Sequence, residues 1–174
     1  LPHPAVHLGY SQLGWIPGFP LAAFVLLILF GRRLGRASAW ISVAALVASC
    51  GLTVAIAADV LGYGRVGIRW AWLSALNPYW TIGLVADAMS WVMLLVVTAI
   101  GALIQLYSIG YMHDDPRFSR FFAYFSLFCA SMLGLVMADH FALLYVCWEL
   151  VGLCSYFLIS FWFEKPAAAE AGRK

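Results

Sequence analysis

Charge is what this chain has least of. Asp, Glu, Lys and Arg together make up 10% of its 174 residues, where soluble domains carry about 25%, and apolar residues reach 64%. A water-soluble globular domain is thereby excluded, and an integral membrane protein follows. The net charge of +2 is small and the basic residues sit in loops rather than in a stripe, so nothing marks a nucleic-acid surface. Lipid and other membrane chains are the expected partners. No GxGxxG or Walker loop is present to cradle a nucleotide. No CxxC pair or Cys/His ligand set occurs either, which argues against a metal ion or an iron–sulfur cluster in this chain. Cys50, Cys129, Cys147 and Cys154 all fall in apolar stretches. Cys147 and Cys154 would lie about 10 Å apart along a helix, beyond disulfide reach, and read as small packing residues. Positive charge is also missing ahead of the first apolar stretch, the first basic residue being Arg32. A cleavable signal peptide needs the opposite order, so that stretch is expected to stay in the mature protein. The chain opens at Leu1, as expected where an initiator methionine has been removed or lies outside this stretch.

What remains is long runs without charge. A hydrocarbon core of about 30 Å takes about 20 helical residues, and five candidates of that order occur at 15–30, 37–58, 84–107, 121–138 and 141–163. The first and fourth are short and can lengthen into flanking apolar residues. The fold class expected is an all-α membrane protein of about five transmembrane helices with a short external β-hairpin. That hairpin is read in residues 59–82, where Val66, Ile68, Trp70 and Trp72 alternate with Arg65, Gly67, Arg69 and Ala71 at the period of a strand. Tyr63, Trp70, Trp72, Tyr79 and Trp80 read most simply as an interfacial aromatic belt. Arg32, Arg33, Arg36, Arg117, Arg120, Lys165, Arg173 and Lys174 fall on one side of such a bundle, and only Arg65 and Arg69 on the other. The positive-inside rule then places the amino end outside and the carboxyl end in the cytoplasm.

Few residues within these runs can carry chemistry. Glu149 stands alone in the last one, near its middle, where an ionised carboxylate costs about 2.5–3.5 kcal/mol on insertion scales. Such a group persists where it pairs, trades protons or lines a hydrated path. The alternative is a protonated carboxyl bonded to a neighbour and serving packing alone. Tyr145, Val146, Gly152 and Leu153 share its helical face, and Gly152 leaves room for another helix. No Lys or Arg lies within any of the five stretches to offset it. Asp87 sits close to an outer end, either as an interfacial carboxylate or as a point of proton access. Asp139 and His140 mark the tight turn between the last two spans, where His140 either caps and hydrates the corner or relays protons. His113 falls in a polar loop, His113-Asp114-Asp115-Pro116-Arg117, and reads as part of a turn. His3 and His7 are assigned no role.

At two places the residues themselves carry a resemblance. Tyr107-Ser108-Ile109-Gly110-Tyr111-Met112, continuing through Arg117-Phe118-Ser119-Arg120-Phe121-Phe122-Ala123-Tyr124, resembles the segment leading into the fourth helix of the L-chain family of bacterial NADH-quinone oxidoreductase, respiratory complex I. Trp148-Glu149-Leu150-Val151-Gly152-Leu153-Cys154-Ser155-Tyr156 and Phe161-Trp162-Phe163-Glu164-Lys165-Pro166 extend it. The likeness runs from about Asp87 to Lys174 and is looser before that. It implies the amino-terminal portion of an antiporter-like, proton-translocating subunit in the bacterial inner membrane: residues 1–83 as two lead-in helices and the hairpin, 84–174 as the third helix and the start of the translocating domain. It also implies that Glu149 matches the carboxylate of the family's fifth helix, which works with a lysine further along the subunit. NADH, FMN, iron–sulfur clusters and quinone would belong to other subunits, with no cofactor in this chain. At Gln105 the sequence departs from a histidine frequent in the family. Two other readings stay open, the large subunit of a multisubunit cation/proton antiporter and a truncated or split scaffolding piece.

Overall fold

A proline inside a membrane helix leaves a carbonyl without its donor, and the first helix of this chain has two. In the computed structural model, which describes residues 6–71 and 81–173, α1 (Gln12–Leu34) contains Pro17 and Pro20. Pro20 has no N–H for the carbonyl of Ile16 four residues earlier. Ser49, on α2 (Ala37–Ala55), donates its hydroxyl to that same oxygen at 2.7 Å. A neighbouring helix thus supplies the bond that the proline removes, which is how such residues are tolerated in lipid. α1 stops at Gly35, whose φ of +51° suits a residue without a side chain and whose N–H closes on Gly31.

After α2 the chain breaks at Ile56 and continues as α3 (Ala57–Tyr63). Just before the break the carbonyl of Thr53 accepts the indole N–H of Trp91 at 2.8 Å, tying α2 to α4 (Ala88–Tyr111). α5 (Phe118–Met137) is the centre of the bundle, packed on α1, α2, α4 and α6 (Phe141–Ile159). Small residues let it approach: a Cβ on Gly31 would meet Ser119 at 3.0 Å, and Ser119 donates its hydroxyl to the Gly31 carbonyl at 2.9 Å. A short α7 (Pro166–Arg173) packs back on the end of α6. Five helical stretches, with α2 and α3 counted as one, are long and apolar enough to cross a membrane. The chain is a multi-pass membrane protein.

The alternating stretch forms the expected hairpin and more. β2 (Arg65–Ala71) pairs antiparallel with β3 (Thr81–Asp87), Arg65 opposite Asp87 and Ala71 opposite Thr81, and β1 (His7–Leu8) adds a parallel third strand. Its inner residues Val66, Leu84 and Ala86 close one end of the bundle over Leu13, Ile16, Ile56, Leu94, Leu133 and Met137. One expectation is corrected. The third span begins at Ala88 rather than at 84, because Leu84 to Asp87 belong to β3 and Asp87 caps the helix. The first and fourth spans lengthen, as expected, to Gln12–Leu34 and Phe118–Met137, because apolar flanks continue the helices. Trp72, Tyr79 and Trp80 of the aromatic belt lie outside the described residues; Tyr63 and Trp70 are exposed, as a belt requires.

Candidate functional site

The polar residues singled out in the sequence fall into two groups, one committed to holding the fold and one left open. Asp87 belongs to the first. Its Oδ1 accepts the backbone N–H of Ser90 at 2.9 Å while the Ser90 hydroxyl accepts the N–H of Asp87 at 2.7 Å, a reciprocal cap on α4. That backbone N–H, helped by Arg65 on the facing strand, holds the Asp87 carboxyl below its ordinary value against the opposing effect of burial. Asp139 is tied as firmly. Its carboxylate accepts from Arg69 Nε at 2.6 Å, its N–H donates to the carbonyl of Gly83, and Ala138 bridges Leu84. The same contact raises Arg69 above its usual range. The next residue, His140, uses Nδ1 to accept the N–H of Leu143 at 3.2 Å and so caps α6. Nδ1 must be unprotonated to do this, which puts the neutral ring's hydrogen on the buried Nε2, an atom with no partner among the described residues.

Glu149 is in the second group. The structure places it on an exposed face. α6 buries Cys147 and Cys154 against α5, where a Cβ on Gly134 would meet Cys147 Sγ at 3.0 Å. The opposite face, with Tyr145, Trp148, Glu149, Gly152 and Leu153, is exposed among the described residues, and no atom comes within 4 Å of a Cβ on Gly152. Only 11% of the apolar stretch of α6 is buried, against 56% for α5. The cause is topological: α6 is the last long helix and packs on α5 and α7 alone to any extent. A carboxylate at mid-span therefore looks outward, with no cation on its own helix.

Sequence reasoning missed two features. The Arg69–Asp139 pair joins residues 70 apart, and no local pattern signals it. Gln105 is fully buried on α4 with both amide atoms unpartnered among the described residues. Nearby α2 and α5 join through the hydroxyls of Ser42 and Ser126, 2.5 Å apart.

Comparison with known proteins bears on this arrangement directly. Residues 72–122 match the family model for the N-terminus of chain 5 of NADH-ubiquinone oxidoreductase (complex I), and residues 138–174 match that for the transmembrane region of NADH:quinone oxidoreductase and the Mrp antiporter. Over 96% of its length the chain is 41% identical to NADH-quinone oxidoreductase subunit L of Mycobacterium tuberculosis. It belongs to the antiporter-like membrane subunit family. Within that family it is also 40% identical, over 91% of its length, to the F(420)H(2) dehydrogenase subunit L of Methanosarcina mazei. A solved structure of the Mrp complex from Dietzia superposes on 86% of the chain with a TM-score of 0.71 at 30% identity, covering 16% of the matched chain. The chain spans 27% of the mycobacterial and 23% of the methanosarcinal protein, about a quarter of each. The match is to the amino-terminal part of the subunit.

Proposed function

We propose that this chain forms part of a proton-translocating subunit in the membrane arm of an NADH:quinone oxidoreductase, with Glu149 as the titrating group. The observation that carries the reading is the lone carboxylate at mid-span on a face of α6 that this chain leaves open. In a membrane such a group calls for a partner, and α6 itself carries no basic residue, Arg32, Arg33 and Arg120 lying only in the end turns of α1 and α5. The partner would be a lysine from the part of the subunit that these residues do not include. By Coulomb's law at an effective dielectric of about 20, separating such a pair from about 4 to about 8 Å weakens it by about 2 kcal/mol. A conformational change driven by electron transfer in other subunits can therefore load or release a proton at Glu149. NADH, FMN, iron–sulfur clusters and quinone would act in those subunits. Asp87, Asp139 and His140 support the reading only as the residues that hold the ends of α4 and α6. The bacterial inner membrane, with the Arg-rich end in the cytoplasm, is the location this reading requires.

A second reading, the large subunit of a multisubunit cation/proton antiporter, is favoured by the 30% identity to the Mrp structure. It uses the same carboxylate without redox chemistry. The test is proton uptake into inverted vesicles by the assembled complex carrying Glu149→Gln, with immunoblots for assembly. Uptake and the coupled quinone reductase rate should fall to a small fraction while the subunit stays in the membrane. Normal uptake would make the carboxylate a packing residue, and loss of cation/proton exchange without any change in quinone reduction would select the antiporter.

A further inference from the structure

A cleft of about 240 Å³ opens at the Arg-rich end of the bundle, between the first turns of α5 and the last turns of α6. Arg117, Arg120 and Tyr124 line one side, and Tyr156, Phe157 and Phe163 the other. The two arginines are differently placed. Arg117 is held by Glu164 through two bonds of 2.9 and 3.1 Å, and its guanidinium lies over the rings of Phe161 and Phe163 at 5.2 and 5.0 Å. A bond to its own backbone N–H, and after it the Arg117 contact, keep the Glu164 carboxyl below its usual range. The other acid nearby, Asp115, is engaged as well, accepting the Arg117 N–H at 2.7 Å and the Trp162 indole N–H at 2.8 Å. Arg120, exposed at the rim, makes no ion pair among the described residues, so its charge is the one left uncompensated in the cleft. The floor is aromatic, with Tyr124 stacked on Phe157 at 5.0 Å and Tyr156 beside it at 5.8 Å. The cleft lies at the level where α4 ends and α5 begins, the depth of the headgroups around a spanning bundle.

We propose that this cleft binds the phosphate group of an anionic phospholipid. Arg120 offers its planar fork to the phosphate oxygens, the Tyr124 and Tyr156 hydroxyls donate to it, and the glycerol and upper acyl chain lie over Phe157 and Phe163. A free phosphate ion would satisfy the same polar groups but would leave the aromatic floor uncovered. The assignment is independent of the role of Glu149.

The experiment uses the assembled complex, stripped of lipid in mild detergent and titrated with phosphatidylglycerol, phosphatidylcholine or inorganic phosphate, with bound lipid counted by native mass spectrometry. Arg120→Gln should lose one tightly retained phosphatidylglycerol and weaken its binding about tenfold, while Arg36→Gln, at an exposed site on the same end, should not. Phosphatidylcholine retention should be the same in both variants. Unchanged phosphatidylglycerol binding by Arg120→Gln overturns the site, and displacement of the lipid by millimolar inorganic phosphate overturns the lipid as its occupant. Should Arg120→Gln fail to assemble, Tyr124→Phe removes only one donor. A severalfold weaker binding then supports the site, and no change overturns it.

Discussion

One hydroxyl on α2 decides whether α1 can keep Pro20. Ser49 donates to the Ile16 carbonyl that Pro20 leaves without a donor, and in lipid no water can take its place. Average interhelical hydrogen bonds in membranes contribute only about 0.6 kcal/mol, but an orphaned buried acceptor costs about 1–3 kcal/mol, and here the orphan is the larger effect. Ser49→Ala should therefore cost about 1–3 kcal/mol in thermal unfolding of the detergent-solubilised complex. In a Pro20→Ala background, where the helix again supplies an N–H, the same substitution should cost little, and equal costs in both backgrounds would refute the account. Such a bond is invisible in sequence, since Ser49 there is one small residue in an apolar run. Glu149 was legible because a charge at that depth stands out in any hydropathy profile. Its outward orientation was not, since exposure depends on what α6 packs against. Asp87 was read as part of a span although Ser90 three residues later marks a cap, a signal weakened by the absence of the usual Glu or Gln.

Among the elements, the sheet and its seat on the α5–α6 corner show how a close approach outweighs a charge. Arg69 and Asp139 form the visible bond, yet the side chain of Arg69 is 42% exposed, and ion pairs of that kind contribute about 0.2–1 kcal/mol. Gly83 matters more. A Cβ there would lie 2.7 Å from Asp139 Oδ2 and 2.9 Å from its Cβ, so the corner could not dock without moving. Gly83→Ala should destabilise the protein by about 1–3 kcal/mol, as overpacking does, and Arg69→Ala by less than 1. Thermal unfolding of the two variants compares them directly, and a larger loss from Arg69→Ala would reverse the ranking. The long helices were legible from the absence of charge and the hairpin from its period of two. Strand β1 was not, because two residues, His7 and Leu8, carry no period at all.

Across the whole molecule the distribution of positive charge matches the packing. Arg32, Arg33 and Arg36 follow α1, Ser119 beside Arg120 bonds the carbonyls of Gly31 and Gly35, and Arg117 pairs with Glu164, so these residues gather at one end while Arg65 and Arg69 lie with the sheet at the other. By the positive-inside rule the first end is predicted to face the cytoplasm. A single cysteine at Asp114, a fully exposed turn position, should be labelled in intact cells by membrane-permeant reagents only, and one at Tyr63 by impermeant reagents too. Impermeant labelling at Asp114→Cys would invert the topology. Orientation is thus an expectation from loop charge that the labelling tests, whereas the open face of α6 emerged only once the other described helices had been placed.

The bond between Ser49 and Ile16 also bears on how the protein is made. Until α2 has left the ribosome the Ile16 carbonyl of α1 lacks the Ser49 donor, and release into lipid at that moment would strand a bare polar group in hydrocarbon. The favourable course is for α1 to wait at the insertion machinery until α2 arrives and for the two to partition into the bilayer together as a hairpin, joined by the short turn at Gly35. The proline thus makes the energetics of inserting α1 depend on α2.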